Sequence, residues 1–176
     1  MVRKKELEEL NRISSEEFIQ SQKFPLILCA DNIRSGHNIG SLFRIADAFR
    51  IESLLLGPQC AKPPHPEILK TALGAQHHVS WKLSQNLAED LNVLKAEGYQ
   101  LLGIEQTIDS IALHQYPVDL NSKYVLILGH EINGIDQSII ELLDACLEIP
   151  QFGVKHSLNV SVAAGIACWQ ICSRFM

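Results

Sequence analysis

Three stretches of this chain combine glycines with side chains that can donate hydrogen bonds, accept them or carry charge. Residues 31–44 read DNIRSGHNIGSLFR, residues 126–136 read LILGHEINGID, and residues 149–161 read IPQFGVKHSLNVS. Each stretch begins at or just after a short apolar run. Amides, hydroxyls, carboxylates and guanidinium groups suit the recognition of phosphates and sugars, and glycine lets another group approach the backbone closely. These side chains therefore indicate a polar ligand site.

The first stretch places two arginines around the start of a predicted helix. The apolar stripe of that helix is formed by Ile39, Leu42, Phe43 and Ala46. Arg44 points away from this stripe because of the 3.6-residue period, and Asn38 is predicted to cap the helix. Arg34 and Arg44 would flank a helix N-terminus, where anions bind favourably. The stretch is either a clamp for phosphate or ribose, or an Asn-capped helix with two solvated arginines.

The second stretch resembles the start of a zinc-binding H-E-x-x-H helix, but it lacks the second ligand. Four residues after His130 stands Gly134, so we predict no metal site. Asp136 is predicted to cap the helix that follows. The sequence also has no G-x-G-x-x-G after its first strand, no phosphate-binding P-loop motif and no G-x-S-x-G, so the usual nucleotide and hydrolase sites are unsupported.

The third stretch leads into the last helix. Ser157 and Asn159 stand at its start, and both can cap a helix. Capping explains each residue singly. It does not explain why three separate strand ends all carry glycine together with hydrogen-bonding side chains.

The elements that position these stretches alternate along the chain. Apolar runs predict strands at 26–30, 53–56, 79–82, 100–104, 124–128 and 146–149, and amphipathic or apolar patterns predict helices at 39–49, 87–97, 136–143 and 159–172. This alternation predicts an α/β fold with a largely parallel sheet and helices on both faces. Ligands of such sheets bind at the carboxyl ends of strands. The loops after Ala30, Ile104, Leu128 and Ile149 are therefore the expected site.

The chain is predicted to divide into a helical extension over residues 1–25 and one domain over residues 26–176. In the extension, Leu7, Leu10 and Ile13 have helical spacing, and residues 14–17 read SSEE, which suits a capping box. The helix at 159–172 is apolar nearly all round, so it must be buried. We expect a homodimer to cover it, ahead of docking within one chain.

Composition and charge limit the possible partners. The chain has 176 residues, 47% of them hydrophobic, and a net charge of −5. Residues 32–82 carry six Lys or Arg against three Asp or Glu, whereas residues 83–148 carry two against eleven. A polyanion could still bind the basic part, with modest and salt-sensitive affinity. No apolar run is long enough for a membrane span, and the first residues do not resemble a signal peptide, so we expect a cytoplasmic protein.

Together, N-x-R-S-x-x-N-x-G-S-x-x-R at 32–44, L-G-H-E-x-N-G at 128–134 and I-P followed by S-L-N-V-S-V-A-A-G-I at 149–166 resemble the three motifs of the SpoU/TrmH family. Its members are SPOUT-class RNA ribose 2′-O-methyltransferases. The resemblance runs from about Leu26 to the C-terminus. It implies a C-terminal trefoil knot, S-adenosylmethionine bound in that knot, RNA as the substrate, and a homodimer.

The resemblance also implies roles for individual residues. Those expected at the catalytic centre are Arg44, Asn38, Glu131, Ser157 and Asn159, with both Asn38 and Arg44 near the cofactor bound by the other subunit. The cofactor would lie among backbone groups of Ile104, Glu105, Gly129, Ile149 and Leu158. RNA would contact Asn32, Arg34 and Lys155.

The implied chemistry leaves the role of Arg44 open between a base and an electrostatic or positioning group. Arginine keeps its proton at neutral pH, which makes the second role physically easier. The first strand begins near residue 26, too early for the N-terminal RNA-binding domain of many rRNA-modifying relatives, so tRNA is favoured over rRNA. The alternatives are a non-catalytic RNA-binding or assembly factor on the same fold, and a methyltransferase or nucleotide-site enzyme acting on small molecules.

Overall fold

The computed structural model describes residues 2–6 and 8–176, in which seven strands form one sheet. The strands are β1 (Phe24–Ala30), β2 (Ile51–Leu56), β3 (Trp81–Leu83), β4 (Tyr99–Ile104), β5 (Ile111–Ala112), β6 (Lys123–Leu128) and β7 (Ala145–Glu148). Their order across the sheet is β3-β2-β1-β6-β4-β7-β5, and every pair of neighbouring strands that the structure describes is parallel. The predicted parallel sheet is confirmed.

Helices cover both faces of this sheet, as predicted. They are α1 (Ser15–Gln20), α2 (Gly36–Ala48), α3 (Pro66–Ala72), α4 (Leu87–Ala96), α5 (Gln137–Ile140) and α6 (Val160–Cys172). On one face, α2, α3 and α6 contribute side chains such as Phe43, Ile68 and Cys168 to the larger apolar core. On the other face, α4 and α5 contribute Leu91 and Ile139 to a second core.

The strand register gathers the loops that carry the three motifs. Ala30 at the end of β1 and Ile104 at the end of β4 both pair with Leu128 at the end of β6, and Ile104 also pairs with Leu147 of β7. Four strands therefore finish at one level. Because all are parallel, the loops that follow them leave from the same edge of the sheet.

The start of α2 differs from its prediction. The helix begins at Gly36, and its N-cap is Ser35, whose hydroxyl oxygen accepts a hydrogen bond of 3.2 Å from the backbone N–H of Asn38. The prediction that Asn38 caps the helix is therefore wrong. Asn38 lies one turn inside, which leaves its side chain free for another contact. Gly40 permits the close packing of α2 on α3, because a Cβ there would lie 1.8 Å from the Thr71 hydroxyl.

The chain itself buries only one face of α6. Ala164, Ala167, Cys168, Ile171 and Cys172 are buried in the larger core. On the opposite face Val162, Ile166 and Trp169 are between 40% and 57% exposed. A helix that is apolar on both faces is thus left with an uncovered apolar surface.

The N-terminal segment is held by a capped helix. The Ser14 hydroxyl accepts from the backbone N–H of Glu17, and the Glu17 carboxylate accepts from the backbone N–H of Ser14, so the capping box is confirmed. Residues 8–10 form one turn of 3-10 helix, while Leu7 of the predicted apolar pattern lies outside the described residues, as does Met1. The division at residue 25 stays a prediction. Across residues 2–6 and 8–176, the helices are all too short or too polar to cross a membrane.

Candidate active site

A cleft of about 390 Å³ opens at the carboxyl edge of the sheet, between the ends of β4, β6 and β7 and the start of α6. Its volume lies within the range typical of sites for small molecules and cofactors. All five residues predicted to hold the cofactor line it, namely Ile104, Glu105, Gly129, Ile149 and Leu158. Three of the residues predicted at the catalytic centre line it too, and these are Glu131, Ser157 and Asn159.

The lining combines an apolar part with negative charge. Its aliphatic side chains come from Ile104, Leu128, Leu147, Ile149, Leu158 and Ala163, among others. Its charged side chains are the carboxylates of Glu105, Glu131 and Glu148, and the lining contains no lysine or arginine. The potential inside the cleft is therefore negative, which favours a cationic ligand over an anionic one.

A chain of hydrogen bonds links the three motifs at the mouth of this cleft. The Asn38 amide nitrogen donates to Glu131 Oε1 at 2.9 Å, and the Asn159 amide nitrogen donates to Asn38 Oδ1 at 3.2 Å. Asn159 Oδ1 in turn accepts a hydrogen bond from the backbone N–H of Ser161, and through this bond Asn159 caps α6. Asn38, at 5% exposure, is thus fixed from both sides. Residues separated by 93 and 121 positions in sequence meet in one array.

Glu131 is ionised in this array. Partial burial works to raise the pKa of its carboxyl, but the hydrogen bonds from Asn38 and from the Ser35 backbone N–H favour the charged form, and the net effect lowers the pKa. Both of these bonds use Oε1. Oε2 takes part in neither of these two bonds.

Removing the central amide of this array should weaken the whole protein. In Asn38→Ala, Asn159 loses its acceptor and Glu131 loses its shortest donor, so we expect the free energy of unfolding to fall by about 1–3 kcal/mol. Urea unfolding measures this change, with the exposed Asn92→Ala on α4 as a matched control that should change little. An unfolding free energy equal to that of the unaltered protein would show that the array contributes nothing to stability.

The loop after β6, residues 129–136, is held by carboxylates on two sides. Glu105 Oε2 accepts from the backbone N–H of Ile135 at 3.0 Å, and Asp31 Oδ2 accepts from the backbone N–H of Asp136 at 2.8 Å. Within the loop, His130 and Gly134 exchange two backbone hydrogen bonds of 2.9 Å. The Glu105 side chain therefore positions this loop.

Asp31 is buried, and this burial raises its pKa. Folding therefore strengthens proton binding at Asp31, and the contribution of this carboxyl to the free energy of unfolding should fall as pH rises from the unfolded pKa of about 3.9 through the raised folded value. Asp31→Asn keeps an oxygen for the Asp136 N–H and cannot ionise. We expect its unfolding free energy to fall less between pH 4 and pH 7 than that of the unaltered protein, as measured by urea unfolding across this range. Parallel pH curves for the two proteins would contradict the assignment.

The residues predicted to contact RNA lie outside the cleft. Asn32 and Arg34 line an adjoining groove of about 740 Å³, which shares His130 and Ile132 with the cleft. Arg34 Nη2 donates to the Gln59 side-chain oxygen at 2.7 Å. Lys155 is exposed on the loop after β7.

Arg44 is not brought to the cleft within one chain. It lies on the outer side of α2 in a depression of about 710 Å³ whose lining also includes Lys70 of α3 and Val162 of α6. Its side chain is exposed and forms no hydrogen bond or ion pair with residues 2–6 or 8–176. A single chain therefore brings together four of the five residues predicted at the catalytic centre, and Arg44 lies apart from them.

Sequence reasoning missed Gln106. This residue lines the cleft, and its amide nitrogen donates to the backbone carbonyl of His156 at 2.7 Å, which ties the loop after β4 to the loop after β7. Its position, two residues beyond the end of a predicted strand, could have marked Gln106 as a site residue.

The described part of the chain contains no group of three His, Cys, Asp or Glu side chains that could hold a metal ion.

Known proteins share this fold and these motifs. Residues 25–169 fit the SpoU rRNA Methylase family model. The tRNA (guanosine(18)-2′-O)-methyltransferase TARBP1 of Mus musculus is 35% identical over 146 residues, which are 82% of this chain but 9% of that protein. The 23S rRNA (guanosine-2′-O-)-methyltransferase RlmB of Vibrio parahaemolyticus is 28% identical over 170 residues, which are 97% of this chain and 68% of that protein.

Solved structures share the architecture. The TrmH/SpoU tRNA modifying enzyme of A. aeolicus superposes with a TM-score of 0.80 at 27% identity, covering 91% of this chain and 80% of that one. The AdoMet-bound rRNA methyltransferase of Sinorhizobium meliloti has a TM-score of 0.81 at 21% identity, covering 90% of this chain and 60% of that one, and shows the likeness in fold alone.

Proposed function

The chain belongs to the SpoU rRNA methylase family, and from this premise we propose that it transfers a methyl group from S-adenosylmethionine to a ribose 2′-hydroxyl of RNA. The observation that carries the proposal is the array of Glu131, Asn38 and Asn159, which joins all three motifs at one cleft. Relatives named as tRNA and as rRNA 2′-O-methyltransferases support the reaction class.

The cleft fits this cofactor by its chemistry. Aliphatic side chains of Ile104, Ile149 and Leu158 would pack against an adenine ring, and backbone groups at the strand ends would bind its polar edge. The carboxylates that line the cleft would favour the positive charges of the cofactor. When bound, the cofactor would supply an electrophilic methyl group, with the sulfonium sulfur as the leaving group that retains the bonding electron pair. The proton of the ribose hydroxyl would pass to solvent water.

The chain's own residues would position the acceptor hydroxyl. Ser157 and Asn159 lie at the mouth of the cleft, where they could hold the ribose, and Asn38 fixes Asn159. Orientation of two reactants can supply several kcal/mol of a barrier. Arg44 would add a fixed positive charge that binds the RNA phosphate and stabilises the developing alkoxide.

A homodimer would bring Arg44 to the reaction. The uncovered face of α6 lies beside Arg44, since Val162 lines the same depression as the arginine. Two copies that pack through Val162, Ile166 and Trp169 would bury this apolar face. Such an arrangement would place Arg44 of one subunit against the cleft of the other.

RNA would reach the cleft along the groove of Asn32 and Arg34 and past Lys155. The overall charge of −5 implies modest, salt-sensitive binding. We propose tRNA ahead of rRNA as the substrate. The trefoil knot and the cytoplasmic location stay predictions.

Two measurements test the proposal. Calorimetry with S-adenosylmethionine should show one site per chain. Transfer of labelled methyl groups should follow on bulk RNA separated into tRNA and rRNA fractions, and ribonuclease treatment of the RNA should abolish it. Cofactor binding without transfer to either fraction would favour the non-catalytic alternative, whereas transfer that survives ribonuclease would favour a small-molecule substrate.

A further inference from the structure

The two loops beside the cleft carry large apolar side chains that stand almost fully in solvent. Ile132 on the loop after β6 is 87% exposed, and Phe152 on the loop after β7 is 98% exposed. Ile132 lines both the cleft and the adjoining groove. Phe152 follows Gln151, which lines the cleft. An exposed phenyl ring therefore stands one residue beyond the lining of the candidate active site.

The loop that carries Phe152 has little internal structure to hold it. Backbone N–H groups of residues 151–158 donate no hydrogen bond to any described residue, and the contact from Gln106 to the His156 carbonyl is its main polar tether. Segments with few backbone hydrogen bonds open and adapt at low free-energy cost. This loop can therefore adjust to a ligand that Phe152 contacts.

We propose that Phe152 stacks on the base of the nucleotide whose ribose is methylated. The inference rests on the proposed function, because a ribose hydroxyl that enters the cleft places the base, one glycosidic bond away, at the rim. Single-stranded RNA is recognised by bases that are unstacked from their neighbours and stacked on aromatic side chains. Among the Phe, Tyr and Trp residues, Phe152 is the nearest in sequence to the cleft-lining residues Gln151 and Ser157.

Charge in the same loop favours RNA over a second protein copy as the occupant. Lys155 and His156 follow Phe152 closely, and both are exposed. Lysine is depleted from protein–protein interface cores, whereas a cation next to an exposed aromatic ring suits a phosphate next to its base. The apolar face of α6 already offers a surface for a second copy without this loop.

Binding of two labelled probes tests the stacking directly. The probes are single-stranded oligoadenylate and an oligomer of the same length built from abasic ribose phosphates. We expect Phe152→Ala to raise the Kd for oligoadenylate by about 5- to 100-fold, since stacking of one base on an aromatic side chain contributes that much. Its Kd for the abasic oligomer should stay within about twofold. Leu120→Ala, an exposed apolar change before the amino end of β6, is the matched control and should change neither Kd.

Two further variants separate stacking from mere apolar contact. Phe152→Trp should retain oligoadenylate binding, whereas Phe152→Leu should resemble Phe152→Ala because it lacks an aromatic face. Equal weakening of both probes, full binding by Phe152→Leu, or no preference of the unaltered protein for oligoadenylate would overturn the proposal. A change in dimer dissociation on Phe152→Ala would also overturn it and assign Phe152 to a subunit contact.

Methyl transfer to bulk RNA distinguishes failure of this inference from failure of the proposed function. If the unaltered protein methylates RNA and Phe152→Ala does so with unchanged kcat and KM, the stacking role alone is rejected. If the unaltered protein transfers no methyl group to RNA, the proposed function itself is rejected.

Discussion

Arg44→Ala should lower kcat for methyl transfer to RNA by at least about 100-fold and leave the Kd for S-adenosylmethionine within about twofold. We expect this loss because a fixed charge close to a developing oxyanion increases the rate by about 10²- to 10³-fold. Cofactor binding should survive because Arg44 lies outside the cleft lining. The fold should survive too, since the side chain is exposed and unpaired within the described residues. Single-turnover transfer and calorimetry measure the two quantities.

The control for this experiment is Arg12→Ala, which removes an exposed arginine from the N-terminal segment. It should leave kcat unchanged. Arg44→Lys separates charge from geometry, because lysine keeps the charge but lacks the planar fork of donors. Turnover by Arg44→Ala close to that of the unaltered protein would remove Arg44 from the mechanism.

Mixed dimers reveal which subunit supplies the arginine. When Arg44→Ala protein is mixed with a variant that cannot bind cofactor, half of the dimers are mixed and each has one complete site if Arg44 acts on the partner's cleft. The mixture should then regain about a quarter of the unaltered activity, although each variant alone is inactive. If Arg44 acts on its own cleft, no mixed dimer has a complete site and the mixture stays inactive.

The sheet could be predicted from sequence because buried parallel strands are apolar throughout. The runs at 26–30 and 124–128 lie within β1 and β6, which are the central strands. Short elements without such a pattern were missed, as with β5 (Ile111–Ala112) and with the seven-residue α3, whose start depends on Pro66. The helix predicted over 136–143 ends at Ile140, because the chain turns there toward β7.

The site could be predicted only in part, because its geometry depends on contacts between segments that are distant in sequence. Local patterns marked Asn38, Glu131 and Asn159 separately, since each follows a strand end. Their mutual hydrogen bonds depend on how three distant segments pack, and no local pattern encodes that geometry. The cap at Ser35 shows the same limit on a smaller scale: Ser35 and Asn38 can both cap, and the tertiary contact with Glu131 decides which of them does.

Gly129→Ala should raise the Kd for S-adenosylmethionine by about 10- to 100-fold. A Cβ at this position would lie 2.1 Å from the Gly134 carbonyl carbon and 2.2 Å from the Ile135 nitrogen, and backbone atoms cannot move aside as a flexible side chain can. The loop over 129–136 must then shift, which breaks its paired hydrogen bonds or its contact with Glu105. Loss of one or two hydrogen bonds from the cofactor to the displaced backbone would cost about 1–3 kcal/mol of binding free energy, and each 1.4 kcal/mol is tenfold in affinity.

Gly153→Ala is a closely matched control for this substitution. It makes the same chemical change on the neighbouring loop, where a Cβ would meet no atom within 4 Å and the backbone is not left-handed. Its Kd for S-adenosylmethionine should therefore stay within about twofold of the unaltered value. Calorimetry gives both constants, and urea unfolding shows whether Gly129→Ala also weakens the fold. Equal affinities for the two variants would mean that the backbone of this loop does not form the cofactor site, because only at Gly129 does the added methyl group displace it.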